Sequence, residues 1–321
     1  MLGALVASAP ASLRAQGAAA VRRIGFLGPP RSASGFVQAF HDGLREHGLV
    51  EGRNVVVDYR FTDVALLGDV DKLNSLADEL VGLHPDVLVV SVVEAALAAK
   101  RATSSIPIVM VSVADPVGAG LVASLARPGG NVTGLSRQGP DLIGKQFQLL
   151  KEALPRTTRV GVLVNPTEPL REVVAGLTRQ AAASLGMQAT ILEPHAPDGL
   201  VAAFATLRSE RVHALLVGGG GGYYLTRVAI ADLALRERLP TMFQNRESAE
   251  AGGLMSYAAS SVANYRRAAF FVDRVLSGAK PGDLPIEQPT QFELVVNLKT
   301  ARALGLTIPR SVLLRADAVV Q

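Results

Sequence analysis

Short apolar runs, each followed by an apolar stripe at helical spacing, recur along the chain from residue 22 onward. Residues 22–27 read as a buried strand running into Gly28-Pro29-Pro30, and Phe36, Val37, Phe40 and Leu44 then recur at helical spacing until Gly48 stops the helix. Residues 54–60 alternate as a strand does, and Val70, Leu73, Leu76, Ala77, Leu80 and Val81 stripe the next helix. A third strand is expected over 86–91, with a helix after it through Lys100. Residues 108–111 are a β-branched run of the kind that is covered on both faces. Four strand-plus-helix units in succession predict a parallel sheet with helices on both sides.

The stretch after Val111 is a candidate binding edge, because ligands of open α/β sheets sit beyond the carboxyl ends of strands. The strand should end across Ser112 to Asp115, and Asp115-Pro116 is an N-cap type followed by proline, which predicts a short helix from there. Residues 131–136 form a short strand leaving this unit. After a helix carrying Ile143, Phe147 and Leu150, the alternation restarts. Strands are expected at 160–164, 187–192, 214–217 and 241–243, and helices carry Leu170, Val173, Val174 and Leu177, then residues 200–207. Two successive α/β units imply two lobes.

The tail assigns itself to both lobes. Residues 252–257 read as a crossing segment, 262–276 as an amphipathic helix, 286–297 as an extended stretch interrupted by Pro289, and 300–304 as a final short helix. The expected division is lobe 1 from 21–135 plus 258–284 and lobe 2 from 136–257 plus 285–321. The backbone then passes between lobes three times, with Ser136 and Tyr257 placed at crossings, and such a hinge supports closure around a ligand.

Composition narrows the class. The 321 residues are 49% apolar and 19% charged, which describes a folded globular chain. The net charge of +4 comes from scattered basic residues with no aromatic ladder among them, so no nucleic-acid footprint is read. No apolar run is long enough to span a membrane. Residues 1–20 are alanine-rich and end in small residues, which resembles the latter part of a secretory signal peptide without its basic start; export to the periplasm is expected. The absence of cysteine excludes disulfides and thiol catalysis.

Candidate chemistry is sparse. The five histidines have no metal-ligand spacing, and no nucleophile elbow, Walker A loop or Rossmann glycine pattern occurs, so neither an enzyme, a metal site nor a cofactor is predicted. The five glycines at 218–222 would serve either as an anion cradle through their amides or as a strand-to-helix turn. On the second lobe's edge, Glu247 is the candidate partner for an amino group and Arg246 for a carboxylate, each weighed against a solvated rim residue.

Three blocks carry a resemblance. They are Asp115-Pro116-Val117-Gly118-Ala119-Gly120-Leu121 continuing to Arg127-Pro128-Gly129-Gly130-Asn131-Val132-Thr133-Gly134, then Ala249-Glu250-Ala251-Gly252-Gly253-Leu254-Met255-Ser256-Tyr257, then Gln288-Pro289-Thr290-Gln291-Phe292-Glu293-Leu294 through Ala301. In this order they resemble the ABC-transporter substrate-binding proteins related to the tryptophan/tyrosine-binding proteins, over about 22–321. The resemblance implies a type I periplasmic-binding-protein fold, a small-molecule ligand of amino-acid or aromatic/organic-acid type in the inter-lobe cleft, and a membrane permease with its ATPase as partners. A monomer or weak dimer is expected. Carried onto this chain, the first lobe's ligand contacts are Ser32, Ser34, Val93, Glu94, Ala95, Ser112 and Asp115. Those of the second lobe are Asn165, Glu168, Gly221, Gly222 and Tyr223, with Asn245, Arg246 and Glu247. Ser91-Val92-Val93-Glu94 stands where small residues are usual in that family, so the ligand is not carried over with the fold. The same module would alternatively serve as a sensor feeding a regulator or receptor.

Overall fold

Two mainly parallel sheets, each covered by helices on both faces, make up the computed structural model, which describes residues 21–29, 34–61, 69–137, 142–166 and 170–321. The segment read as an export signal, together with Ser32 and Glu168, lies outside the described residues.

The first sheet is wholly parallel. Its strands are β1 (Arg22–Gly28), β2 (Val55–Phe61), β3 (Val87–Ser91), β4 (Ile108–Ala114) and β5 (Val132–Arg137), in the order β2-β1-β3-β4-β5. All five residues of β3 are buried, as expected of a strand covered on both sides. The helices α1 (Ser34–Glu46), α2 (Val70–Gly82) and α3 (Val93–Ala102) connect these strands. One face of the sheet carries Phe26, Val89 and Val109 against Phe40 and its neighbours on α1, and the other carries Leu88, Val90, Ile108 and Met110 against α2 and α3. Alternate residues of the same strands thus feed two separate cores.

In the second sheet the strands are β6 (Arg159–Leu163), β7 (Gln188–Leu192), β8 (Ala214–Val217), β9 (Thr241–Phe243), β10 (Met255–Ala259), β11 (Phe292–Asn297) and β12 (Ala318–Val320), ordered β12-β11-β10-β9-β8-β6-β7. Only the β10–β11 pair is antiparallel. Its helices are α4 (Ile143–Ala153), α5 (Arg171–Ser184), α6 (Leu200–Ser209), α7 (Gly221–Leu225), α8 (Arg227–Arg236) and α9 (Arg246–Glu250). The helix that follows β10, α10 (Ser261–Leu276), packs back on α1 and β4 of the first sheet. After it the chain runs beside β5, where Glu287 exchanges backbone hydrogen bonds with Gly134 and Ser136, and then enters β11. The chain therefore changes sheets after Arg137, after Ala259 and after Glu287.

Several expectations are corrected. No helix forms at Asp115-Pro116: one turn closes through Ala119 N to Asp115 O at 3.0 Å, Gly120 then adopts φ +69°, and the segment continues as turns. The strand before it runs on to Ala114, through a register irregularity in which Ser112 takes φ +56°. The extended stretch at 286–297 becomes regular only at Phe292, and α11 (Leu298–Leu304) is followed by a further helix, α12 (Arg310–Leu313), and by β12. Those last two elements carry too few residues to show a period.

Candidate functional site

The carboxyl ends of the strands from both sheets face one cleft, as open α/β sheets require of a ligand site. From the first sheet come Pro29 after β1, Ser91 to Glu94 at the turn from β3 into α3, and Val111, Ser112 and Ala114 of β4. From the second come Gly219, Gly220 and Gly221 after β8, and Gln244 and Asn245 after β9. Arg137, the last residue of β5, reaches in at the first change of sheet. The cleft encloses about 860 Å3 when its open mouth is counted.

Three aromatic rings form one wall. Phe36 of α1 and Tyr265 of α10 stack at 5.0 Å with planes 2° apart, and Tyr224 of α7 approaches Phe36 from the other lobe at 5.5 Å. Tyr265 is fully buried; desolvation pushes its hydroxyl pKa up, and the Ser91 side chain is its hydrogen-bond partner. Behind Tyr224, the Arg227 guanidinium lies 4.4 Å from the ring centroid and donates from Nη1 to the Tyr224 carbonyl at 2.8 Å. Burial, with the nearby Glu247 charge, pushes the Tyr224 hydroxyl up to about 12, while Arg227 acts the other way. Burial also raises the Glu247 carboxyl above the ordinary carboxylate range, against a backbone hydrogen bond and Arg227.

Among the described residues the lining carries one acid, Glu94, and one cation, Arg137. The guanidinium of Arg137 lies over Gly219, where a Cβ would strike its nitrogens and come within 2.8 Å of Gln244 Oε1. Arg137 Nη1 donates to that same Oε1 at 3.5 Å. The next glycine, Gly220, takes φ +113° and caps α7. The glycine run is thus a strand-to-helix turn whose flatness makes room for an arginine. A smaller hollow behind Arg137, lined by Asn165, Ile143 and Val174 among others, shares Arg137, Gly219 and Gln244 with the cleft.

Among the residues expected to bind, Val93, Glu94, Ser112, Gly221 and Asn245 line the cleft. Asn165 lines the hollow behind it, and Ser34 opens α1. Ala95 is buried in α3 among its core partners. Asp115 accepts from Gly118 N at 2.9 Å, and so holds its own turn. Gly222 lies in the first turn of α7 beside Tyr223, whose hydroxyl donates to the carbonyls of Val164 and Pro194 and faces the second lobe's core. Tyr224 is the tyrosine that reaches the cleft. Asn245 accepts from Ser248 N and caps α9 while also lining the site. Arg246 pairs with Glu250 at 2.7 Å and Glu293 at 3.5 Å, and with Glu247 it lines an adjoining hollow beside Ser260. Ser136 is the penultimate residue of β5, and Tyr257 sits mid-strand in β10 opposite Leu294.

Sequence reasoning missed Arg137, Gln244, Tyr224, Phe36 and Tyr265. A sequence signal existed for two of them: Gln244 directly follows a predicted strand, and Arg137 follows the residue placed at the first crossing. Among the described residues no group of three or more metal-ligating side chains gathers, and no helix is long and apolar enough to cross a membrane.

Comparison with known proteins agrees with this architecture. A family model described as ABC transporter substrate binding protein matches residues 30–320. A tyrosine-binding protein of Clostridioides difficile (strain R20291) is 25% identical over 276 residues, covering 86% of this chain and 77% of that protein. A conserved domain protein from Vibrio cholerae is 28% identical with a TM-score of 0.86, over 93% of this chain and 99% of that one. An ABC domain from Streptococcus pneumonia solved in complex with L-Trp is 27% identical with a TM-score of 0.85, again over 93% and 99%.

Proposed function

The chain belongs to the ABC transporter substrate binding protein family, and from that premise we propose that it captures an aromatic α-amino acid outside the cytoplasm and delivers it to a membrane permease driven by an ATPase. The observation that carries the ligand class is the pairing of Glu94 and Arg137 in one cleft with the rings of Phe36, Tyr224 and Tyr265. A zwitterion needs one anionic and one cationic partner, and a planar side chain gains from stacked or tilted rings at van der Waals distance. Arg137 takes the carboxylate, Glu94 takes the ammonium, and the aromatic wall takes the ring. The Trp-bound structural relative and the tyrosine-binding relative support the same class.

Capture works by closure. The lobes turn about the three segments where the chain changes sheets, next to Ser136 and beyond Tyr257, and a ligand touching both lobes stabilises the closed arrangement by its differential contacts. The permease then reads the closed form. No catalytic step is involved; the family's members are solute-binding proteins.

Calorimetric titration of protein unfolded and refolded to strip any bound solute tests the reading. L-Trp, L-Tyr and L-Phe are expected to bind saturably. Tryptamine, which lacks the carboxylate, and indole-3-propionate, which lacks the ammonium, should each bind at least about tenfold more weakly, the worth of one charge-assisted hydrogen-bonded contact. Indole-3-propionate binding as tightly as L-Trp would remove Glu94 from the site and make the ligand an aromatic acid. A panel with no binding at all would sink the aromatic amino-acid reading.

A further inference from the structure

The cleft arginine is connected to a polar side chain that never reaches the cleft. Gln146 lies in α4, just after the first change of sheet, and is fully buried. Its Nε2 donates to the Tyr257 backbone carbonyl in β10 at 2.9 Å. Its Oε1 faces Gln244 Nε2 at 3.5 Å, and Gln244 Oε1 in turn faces Arg137 Nη1 at 3.5 Å.

The direction of this chain is fixed by chemistry. A backbone carbonyl only accepts, so Gln146 must turn its amino group toward Tyr257 and its oxygen toward Gln244. Gln244 then offers its amino group to Gln146, and only its oxygen is left for Arg137. A guanidinium only donates, so this is the sense that Arg137 requires; the opposite amide sense would set two donors against each other. A fully buried glutamine is costly unless its amide is satisfied, and this one spends both ends on the chain that leads to Arg137.

We propose that Gln146 is a positioning residue for ligand binding: through Gln244 it holds the Arg137 guanidinium over Gly219, aimed to receive a ligand carboxylate. The same link ties that anchor to α4 and β10, the elements next to the first two changes of sheet, so the carboxylate is sensed where the lobes turn. The carboxylate part of this inference rests on the aromatic amino-acid reading; the positioning of Arg137 does not.

The experiment uses the full chain and Gln146→Met, which keeps volume and removes both polar ends. In the first arm, 15N relaxation of the Arg137 Nε–H, assigned by its loss in Arg137→Lys, reports side-chain order without any ligand. Order is expected to fall in Gln146→Met while backbone amides remote from the site keep their shifts; an unchanged Nε–H overturns the proposal. In the second arm, L-Trp and L-tryptophanamide are titrated into both proteins. The preference for the carboxylate over the amide is expected to shrink about three- to tenfold in Gln146→Met, the worth of one hydrogen bond. Equal weakening of both ligands would reduce Gln146 to a packing residue and overturn the positioning role. If L-Trp does not bind the unsubstituted protein, the amino-acid reading fails and the relaxation arm alone decides. Should Gln146→Met fail to fold, Gln244→Leu removes the acceptor that faces Arg137 from a half-buried position, and an unchanged Arg137 Nε–H there likewise overturns the proposal.

Discussion

The ring of Tyr224 lies 5.5 Å from the ring of Phe36 with their planes at 33°, and the two residues belong to opposite lobes. Tyr224 packs on the core cluster of the first lobe although its helix flanks the second. Parting the lobes must break this contact. An aromatic pair contributes about 0.5–1.5 kcal/mol, so under the proposed closure this one favours the closed arrangement of the empty protein roughly two- to tenfold. Tyr224→Ala is expected to enlarge the radius of gyration of the ligand-free protein in small-angle scattering, whereas Tyr224→Phe should leave it unchanged. Identical scattering from all three would show that closure does not lean on this pair.

Gly219 supports the cleft cation by having no side chain. A methyl there meets the Arg137 nitrogens, and because the tip of an arginine is flexible the guanidinium will move before the backbone does. Gly219→Ala should therefore cost ligand affinity with little change in melting temperature. Arg137→Met should cost more, on the order of 10- to 100-fold for a charge-assisted contact. Calorimetric titration beside a thermal melt separates the two effects. A large drop in melting temperature for Gly219→Ala would mean that the backbone yields instead.

Val92 is held at φ 63°, ψ 157°, a region that is essentially restricted to glycine, and it lines the cleft just before α3. Such strain costs about 1–3 kcal/mol. Val92→Gly removes the Cβ that is strained, while Val92→Ala keeps it and loses the packing of two methyls. The expected order of melting temperatures is glycine above alanine, the reverse of what glycine's extra unfolded-state entropy gives at ordinary positions. Alanine melting above glycine would contradict the strain.

Glu247 carries a carboxyl raised by burial above its ordinary value of 4.5. The folded state thus binds this proton more tightly than the unfolded state, and stability falls as pH rises from 4.5 through the folded value. Above that window the buried charge is a standing cost. Glu247→Gln removes it, so the variant should melt higher than the parent at pH 7, and the gap should close as pH drops below 4.5. A gap that stays constant with pH would assign the difference to packing instead of to the proton.

Strand and helix periods were legible wherever an element is buried on a constant face. The runs of β1, β3, β4, β6 and β8 and the stripes of α1 and, from Leu73 on, of α2 stand where alternation and helical spacing place them. Val70 and Val173, read into the stripes of α2 and α5, are exposed, and α5 buries Ala175, Thr178 and Ala182 instead. What the period does not encode is the direction of side chains in the turns that follow strands. Tyr223 and Tyr224 differ by one position in a five-residue helix, too short to show a stripe, and the cleft-lining ring is that of Tyr224, one position beyond the expected Tyr223. Asp115-Pro116 carries a good start signal, but Gly118 and Gly120 leave nothing to propagate the helix, and the chain turns away after one loop. Arg246 and Glu247 looked like the ligand's charge pair because they follow β9. α9 rotates them past the cleft edge, and Gln244 and Asn245 take those places. Arg137 ends a strand in the first sheet yet rests on a glycine of the second, a relation between residues 82 positions apart that no local pattern announces.

The strand and helix order also governs when each half of this protein can exist. The first sheet is complete by Arg137, but α10, which covers it against α1, is not made until residue 276. The second sheet takes β11 and its edge strand β12 only from the final thirty residues. Each half therefore lacks part of its cover while the chain is still growing: the α1 face of the first sheet waits for α10, and the second sheet waits for β11 and β12. A cleft built from both sheets is thus among the last parts of the molecule to take shape.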